Sequence, residues 1–435
     1  MSTTAEQVAE GGAGAAEVHG TRSTAVPTYE GDFVLTGHFL LECGRTLKDA
    51  VLHYAVYGRL NEARDNVMLV CHALSGSALV ANWWPQLFAG DAEEKRILRS
   101  SQDDSADHDA NSEAGRQASL HAGGIVDLKR DCVLCVNLLG SCYGSTGPGS
   151  VDQETGRVFG PEFPLISIGD NVRAQARLLD SLGIRKLALV IGGSIGGMQA
   201  LDWAILFPDR VERAAVIAVA PLSAMGLALN HLQRQAIQND PDWLGGNYLS
   251  YKQPRRGLAL ARQIATLSYK SPQLLAERFG RNPNRNGEDP WALDGQGGGL
   301  GVVEGFGGDG RSGGRFDVAG YLDYQGERFL ERFDANAYLA ILRTMDTWEP
   351  TRGFASAREA YGRIRAELIF LAISSDWLFP PGDVRALADA VRAAVEENGT
   401  RVEYREMRTD HGHDAFLAEQ SELIRLLHRE GRERD

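Results

Sequence analysis

The stretch VIGGSIGGMQALDWA, residues 190–204, decides how the rest of the chain is read. An apolar run stops at Gly192-Gly193-Ser194-Ile195-Gly196 and resumes as a helix-forming segment, MQALDWAILF. G-x-S-x-G between a strand and a helix is the spacing of a tight turn that holds a serine in a strained conformation. Only small neighbours let the backbone pass that closely. In isolation the pattern also fits any glycine-rich strand-to-helix turn, so its weight comes from what flanks it and from partners further along the chain.

Working outward, short apolar runs recur between helical stretches. The strand candidates are FVLTGHFLLE (33–42), VLHYAVYG (51–58), VMLVCHAL (67–74), CVLCVNLL (132–139), KLALVIGG (186–193), RAAVIAVA (213–220), ELIFLAIS (367–374) and RVEYREM (401–407). The first two alternate loosely, as antiparallel strands with one covered face do; most of the others are continuous apolar runs of the kind buried on both faces of a parallel sheet. Residues 168–183 open after Ser167 with Asp170 at capping-box spacing and stop at Gly183. Residues 383–397 and 414–429 carry apolar positions at helical spacing. Strand and helix in alternation imply an α/β sandwich with an antiparallel start.

Between the sixth and seventh strands the alternation fails, and residues 223–280 and 327–347 read as helical. The chain is therefore divided into a floppy tail (1–30), a first part of the sheet domain (31–222) with a polar insertion at about 97–122, and a helical cap (223–350) with a glycine-rich loop at about 283–315. A second part of the sheet domain (351–435) follows. The loop has no GK[ST] ending and follows no strand, which speaks against a nucleotide cradle. A length of 435 residues fits one large domain with an insertion.

A net charge of −13 argues against nucleic acid or an anionic membrane as the main partner, since both require clustered Lys and Arg. The first thirty residues lack the basic and apolar regions of a signal peptide, and no window is long and apolar enough to span a bilayer. Five cysteines, three of them in apolar runs (Cys71, Cys132, Cys135), fit reduced core thiols in a cytoplasmic protein. The CVLC spacing resembles a redox motif, but in a strand its two cysteines point to opposite faces.

A serine hydroxyl is a poor nucleophile and needs a base, which needs an orienting acid. Each of the last two strands ends in a candidate. Asp376 lies just past one, in ELIFLAISSDWLFPP, and His411 and His413 lie just past the other, in RVEYREMRTDHGHDAFL. On an extended loop these histidines face opposite ways, so only one addresses Ser194. Ser, Asp, His in that order, on a mostly parallel sheet with an inserted helical cap, predicts an α/β-hydrolase fold. The oxyanion hole is expected from the N–H of Ile195 and from the loop CHALSGS (71–77), where Leu74 is the choice and Ala73 the alternative. His72 is read as a structural histidine linking loops.

CHALSGSA, NWW, CYGSTGP, GPEFPLISIGDNVRAQ, GGSIGGMQALDW, NHLQRQAI, ISSDWLFPP and GHDAFL, in that order, resemble homoserine O-acetyltransferase of the methionine pathway. The likeness runs from about residue 31 to 430, apart from the two insertions. It implies Ser194 as the acylated nucleophile, Asp376 as the acid and His413 as the base. It also implies that Arg234 pairs with the acceptor's carboxylate and that Asp414 contacts its amino or hydroxyl group, roles an arginine fork and an aspartate suit chemically. Three positions depart from the family pattern: Leu79 in place of histidine, Ile195 in place of methionine, and Gly140-Ser141 in place of two glycines. The Ile195 change leaves a backbone donor intact, whereas Leu79 and Ser141 bear on the acyl or acceptor pocket.

What the resemblance implies is acetyl transfer from acetyl-CoA to L-homoserine through an acyl-serine, with no metal or prosthetic group required and a homodimer formed through the cap helices. Transfer to serine, succinyl in place of acetyl, and hydrolysis of small esters are the alternatives that use the same triad.

Overall fold

The computed structural model describes residues 25–88, 124–248, 252–285, 290–291 and 315–428. The expected insertion at 97–122 lies outside these residues, as do residues 1–24 of the tail and most of the glycine-rich loop. All eight expected strands form one sheet in the order β1-β2-β4-β3-β5-β6-β7-β8.

β1 (Tyr29–Leu40) and β2 (Thr46–Gly58) pair antiparallel, and both extend beyond the runs marked by alternation because each strand supplies the other's ladder partners. The turn between them closes with the N–H of Leu41 on the carbonyl of Arg45 and Gly44 at φ 83°. β2 pairs antiparallel with β4 (Cys132–Val136), and β3 (Val67–Cys71) pairs parallel with β4 and with β5 (Leu189–Gly193). β6 (Arg213–Ile217), β7 (Glu367–Ile373) and β8 (Val402–Met407) continue the parallel sheet.

Between strands run α1 (Ile168–Ser181) and α2 (Ile195–Leu206), then α3 (Ala224–Gln238), α4 (Arg255–Tyr269), α5 (Pro272–Phe279), α6 (Asp317–Leu330), α7 (Ala335–Asp346) and α8 (Ala357–Gly362). α9 (Pro381–Val395) precedes β8, and α10 (Ala415–Ala418) and α11 (Gln420–Leu427) follow it. The capping box at the start of α1 forms, Ser167 Oγ accepting from the Asp170 N–H and Asp170 accepting from the Ser167 N–H. Such a cap contributes about 1 kcal/mol. The last helix, expected as one segment over 414–429, is broken at Glu419, whose carboxylate accepts from the Thr409 hydroxyl at 2.6 Å.

Apolar side chains fill both sheet faces, and β4 shows how: Cys132, Leu134 and Val136 point into one core, Val133 and Cys135 into the other. The CVLC cysteines are thus on opposite faces, unpaired, with burial pushing the Cys132 thiol up to about 11. The stretch between β6 and β7 is helical among the described residues, and it is tied to the sheet domain by polar bonds. Thr344 Oγ1 donates to the Ile166 carbonyl at 2.8 Å, and Trp348 Nε1 donates to Asp202 Oδ1 at 3.0 Å. Parallel strands β3 and β5–β8 all run the same way, so the loops after them gather at one edge, where α/β sheets place their sites.

Candidate active site

Ser194 sits between β5 and α2 at φ 57°, ψ −129°, a region L-residues rarely adopt. Strain of that kind costs on the order of 1–3 kcal/mol and persists only where the surroundings enforce it. Here they do. The Ser194 N–H donates to the Ile217 carbonyl at 3.0 Å, and its own carbonyl accepts from Gly197 (2.8 Å) and Met198 (3.1 Å). A Cβ on Gly192 would overlap the Gly196 backbone, and one on Gly196 would overlap the Cys71 carbonyl. The glycines therefore let β5, α2 and β3 pass at backbone contact, which fixes where the serine stands.

Asp376 follows β7 and His413 follows β8. His413 Nδ1 lies 2.6 Å from Asp376 Oδ2, and Asp376 Oδ1 accepts from the backbone N–H groups of Leu378 and Phe379, both at 2.9 Å. Burial disfavours charge on the imidazole, but the Asp376 carboxylate and its hydrogen bond outweigh that, and His413 is held above the usual histidine value. Rings of Tyr269, Phe379 and Phe416 surround it at centroid distances of 5.7, 5.3 and 5.6 Å. Phe416 also lies against the elbow, since a Cβ on Gly193 would come within 2.5 Å of its ring. Ser194, Asp376 and His413 are all buried. Among the described residues the Ser194 hydroxyl makes no hydrogen bond, and the structure's direct pairing within the triad is that of His413 with Asp376. Such serine–histidine bonds often tighten only when substrate is bound.

Between the two histidines, Gly412 takes φ 89° and packs where a Cβ would come 2.6 Å from the Ser271 nitrogen. His411 is thereby turned toward Lys270, its Nε2 3.1 Å from Nζ, and burial and that ammonium drive it down to about 4.

The N–H groups of Ile195, Leu74 and Ala73 have no acceptor among the described residues, which is the state an oxyanion hole requires. The loop carrying the last two is otherwise held on every side. His72 Nδ1 bonds the Ala73 carbonyl at 2.8 Å, and its Nε2 accepts from the Leu138 N–H at 3.2 Å, a neutral linker pushed down to about 4 mainly by burial. Asn137 Oδ1 accepts from the Ala78 N–H at 2.5 Å, and Arg332 from the cap donates to the Ser75 carbonyl at 2.8 Å and to the Tyr143 hydroxyl at 2.6 Å.

The two residues expected to meet an acceptor stand apart from each other in their bonding. Arg234 on α3 ion-pairs with Asp346 at the end of α7, and Asn230 donates to the same carboxylate at 2.8 Å. Asp414 faces Lys270 at 3.3 Å, while its N–H donates to the Tyr269 carbonyl at 3.2 Å. Burial raises the Asp414 carboxyl, but Lys270, His413 and Arg262 together bring it below its usual value. Of the departing positions, Leu79 packs against the core that holds Phe416, and the buried Ser141 hydroxyl has no hydrogen-bond partner among the described residues. Tyr143, Arg262, Tyr269, Lys270 and Arg332 complete the surroundings without having been marked by the sequence. Arg262 lies in the middle of α4 and Tyr269 and Lys270 at its end, while Tyr143 and Arg332 come from loops distant in the chain, and no local spacing signals them.

Comparison with known proteins follows the same lines. A family model described as the alpha/beta hydrolase fold matches residues 121–419. A homoserine O-acetyltransferase of Symbiobacterium thermophilum is 43% identical over 389 residues, covering 87% of this chain and 88% of that protein. A homoserine O-succinyltransferase of Alkalilimnicola ehrlichii is 40% identical over 381 residues, covering 87% and 88%. Among solved structures, homoserine O-acetyltransferase from Bacillus anthracis superposes with a TM-score of 0.71 at 23% identity, covering 92% of this chain and 96% of that one. Esterase E22 does so at 0.68 and 23%, covering 92% and 99%. At such identity these two structures speak for the fold alone. No helix among the described residues is long and apolar enough to cross a membrane.

Proposed function

The chain belongs to the homoserine O-acetyltransferase family of alpha/beta-hydrolase-fold proteins, and on that premise we propose that it transfers an acetyl group from acetyl-CoA to the hydroxyl of L-homoserine through an acyl-Ser194 intermediate. The observation that carries this reading is the strained Ser194 elbow and the buried His413–Asp376 pair, with no acceptor for the Ile195 and Leu74 N–H groups among the described residues.

His413 removes the Ser194 proton as Oγ adds to the thioester carbonyl. The resulting oxyanion is held by Ile195 and Leu74, where hydrogen bonds in a water-poor site are worth several kcal/mol, roughly 3–4 per donor. The tetrahedral adduct expels CoA, whose sulfur takes the proton from His413. The acceptor hydroxyl then gives its proton to His413 and attacks the acyl-serine; Ser194 leaves and recovers the proton. Asp376 keeps the imidazole in the tautomer with Nδ1–H directed at its carboxylate and stabilises the imidazolium formed in each half-reaction. Arg234 and Asp414 serve the acceptor's carboxylate and amino ends.

The acetyl donor is preferred over succinyl on the weight of the family names, and the 40% identical succinyltransferase makes succinyl-CoA the comparison that must be run. Mass spectrometry of the protein mixed with acetyl-CoA alone tests the intermediate: one acetyl group should appear on the Ser194 peptide, and none in Ser194→Ala. Absence of the adduct at a single-turnover timescale would rule the covalent route out.

Large apolar side chains exposed on the cap, Met225 and Leu232 on α3 and Leu260 and Leu267 on α4, support a homodimer formed through these helices. Five unpaired thiols fit a reducing compartment, the cytoplasm.

A further inference from the structure

The Leu74 N–H assigned to the oxyanion belongs to a single four-residue turn. It runs from Ala73 to Gly76 and closes with the Gly76 N–H on the Ala73 carbonyl at 2.9 Å, so Leu74 and Ser75 are its central residues. A turn of that size moves as a unit. Whatever fixes the Ser75 carbonyl also fixes the direction of the Leu74 N–H, two peptide planes away.

The partner of that carbonyl comes from the cap. Arg332, in the turn between α6 and α7, donates to it at 2.8 Å, and among the described residues this is the cap's one hydrogen bond to residues 71–77. The same guanidinium nitrogen donates to the Tyr143 hydroxyl at 2.6 Å. From Tyr143 the bonding leads back to the loop, because Asn137 Nδ2 donates to the Tyr143 carbonyl and Asn137 Oδ1 accepts from the Ala78 N–H. Ser75, Ala78, Asn137, Tyr143 and Arg332 thus close a ring, and Arg332 is its one member from the cap.

Aromatic packing holds the arginine in that ring. Its guanidinium lies 5.2 Å from the centroid of Phe329, which stacks on Phe333 at 4.8 Å, and Tyr143 stands edge-on to Phe333 at 5.6 Å. The Arg332 carbonyl also accepts from Cys142 Sγ at 3.8 Å, so backbone and side chain meet the same loop. Among the described residues Arg332 forms no ion pair, and its charge is directed at two neutral oxygens. Bonds from a charged donor are roughly twice as strong as neutral ones, which suits a grip that must not slip by a fraction of an ångström.

We propose that Arg332 is a positioning residue for the oxyanion hole: by gripping Ser75 and Tyr143 together it makes the direction of the Leu74 N–H depend on how the cap is seated. It touches no reacting atom. The proposal rests on the acyl-Ser194 reading of the site, in which both half-reactions pass through an oxyanion held by Leu74.

The test compares wild type with Arg332→Met, Arg332→Lys and Tyr143→Phe. Rapid mixing with saturating acetyl-CoA gives the rate of Ser194 acylation, and saturating L-homoserine added to the acyl-protein gives the rate of its removal. Removing an oxyanion donor outright costs about 10²–10³-fold, so loosening one should slow both steps in Arg332→Met by a similar factor, roughly tenfold or more. KM for either substrate should change by less than about twofold. Arg332→Lys should recover part of the rate, and Tyr143→Phe should show a smaller loss shared by both steps. Wild-type rates in Arg332→Met, a loss confined to one half-reaction, or a rise in KM for acetyl-CoA at unchanged maximal rate would each overturn the proposal; the last would make Arg332 a donor contact. If wild type never forms the acyl-serine, the acyl-transfer reading falls and the positioning role with it, whereas the other outcomes sink the positioning role alone.

Discussion

The ring of Phe416 stands edge-on to that of His413, centroids 5.6 Å apart at 76°, while its other edge fills the space that a side chain on Gly193 would need. One aromatic residue therefore sets the separation between the elbow and the base. Its carbonyl is itself fixed by Trp84 Nε1 at 2.9 Å.

Phe416→Leu should keep the fold and loosen that spacing. Misplacing a base by a fraction of an ångström costs rate rather than binding, so kcat should fall roughly tenfold or more with KM for both substrates little changed. Steady-state kinetics with thermal unfolding as a control checks this; an unaltered kcat would show that the ring is only filling space.

Asp376 raises the basicity of His413 and orients it, and the two effects separate in a pH profile. Because His413 must be neutral to accept a proton and is held above the ordinary value near 6.5, the acidic limb of kcat/KM should lie above pH 6.5. Asp376→Asn removes the charge, so burial dominates, the limb should move to lower pH, and kcat should drop by about 10⁴. An acidic limb that stays in place would mean that another group controls it.

Asp202, on α2, is raised to about 7, first by burial, with the Trp348 donor opposing. A carboxyl whose folded value is raised is destabilising once ionised, so its cost is absent below about pH 4, grows as pH rises toward 7, and is full above that. Asp202→Asn keeps an acceptor for Trp348 Nε1 and should therefore raise stability at pH 8 by about 1–3 kcal/mol, with the gap closing by pH 4. Denaturant melts at the two pH values decide it; a constant difference would assign the effect to packing.

Gly196→Ala puts a methyl group onto the Cys71 carbonyl, a backbone atom of β3 that cannot move without its ladder. A loss of about 3 kcal/mol or more is expected, together with loss of activity. Soluble, fully active Gly196→Ala protein would contradict the close-pass explanation of the elbow.

The eight strands were legible because buried parallel strands are continuous apolar runs, and the elbow was legible because close backbone contact admits only glycine. The Ser167–Asp170 capping box was equally local, and it formed. What escaped the sequence depends on contacts between distant segments. The residues alone left His411 and His413 open; the choice is made by Gly412, whose positive φ turns one ring to Lys270 and the other to Asp376. The Arg234–Asp346 pair joins helices 112 residues apart in the chain, and the rings beneath Arg262 come from two different helices, Tyr269 from its own and Phe329 from another. Helical periodicity names the buried face of each segment, not what that face meets. The helix break at Glu419 was hidden for the same reason, since it follows from a bond to Thr409.

The central claim is transfer rather than hydrolysis, and CoA release measures it directly. Purified protein is mixed with acetyl-CoA or succinyl-CoA, each with L-homoserine, L-serine or no acceptor. A fast, acceptor-dependent release with acetyl-CoA and homoserine, accompanied by O-acetylhomoserine, is the expected result. Release at the same rate without any acceptor would contradict it and make the protein a hydrolase.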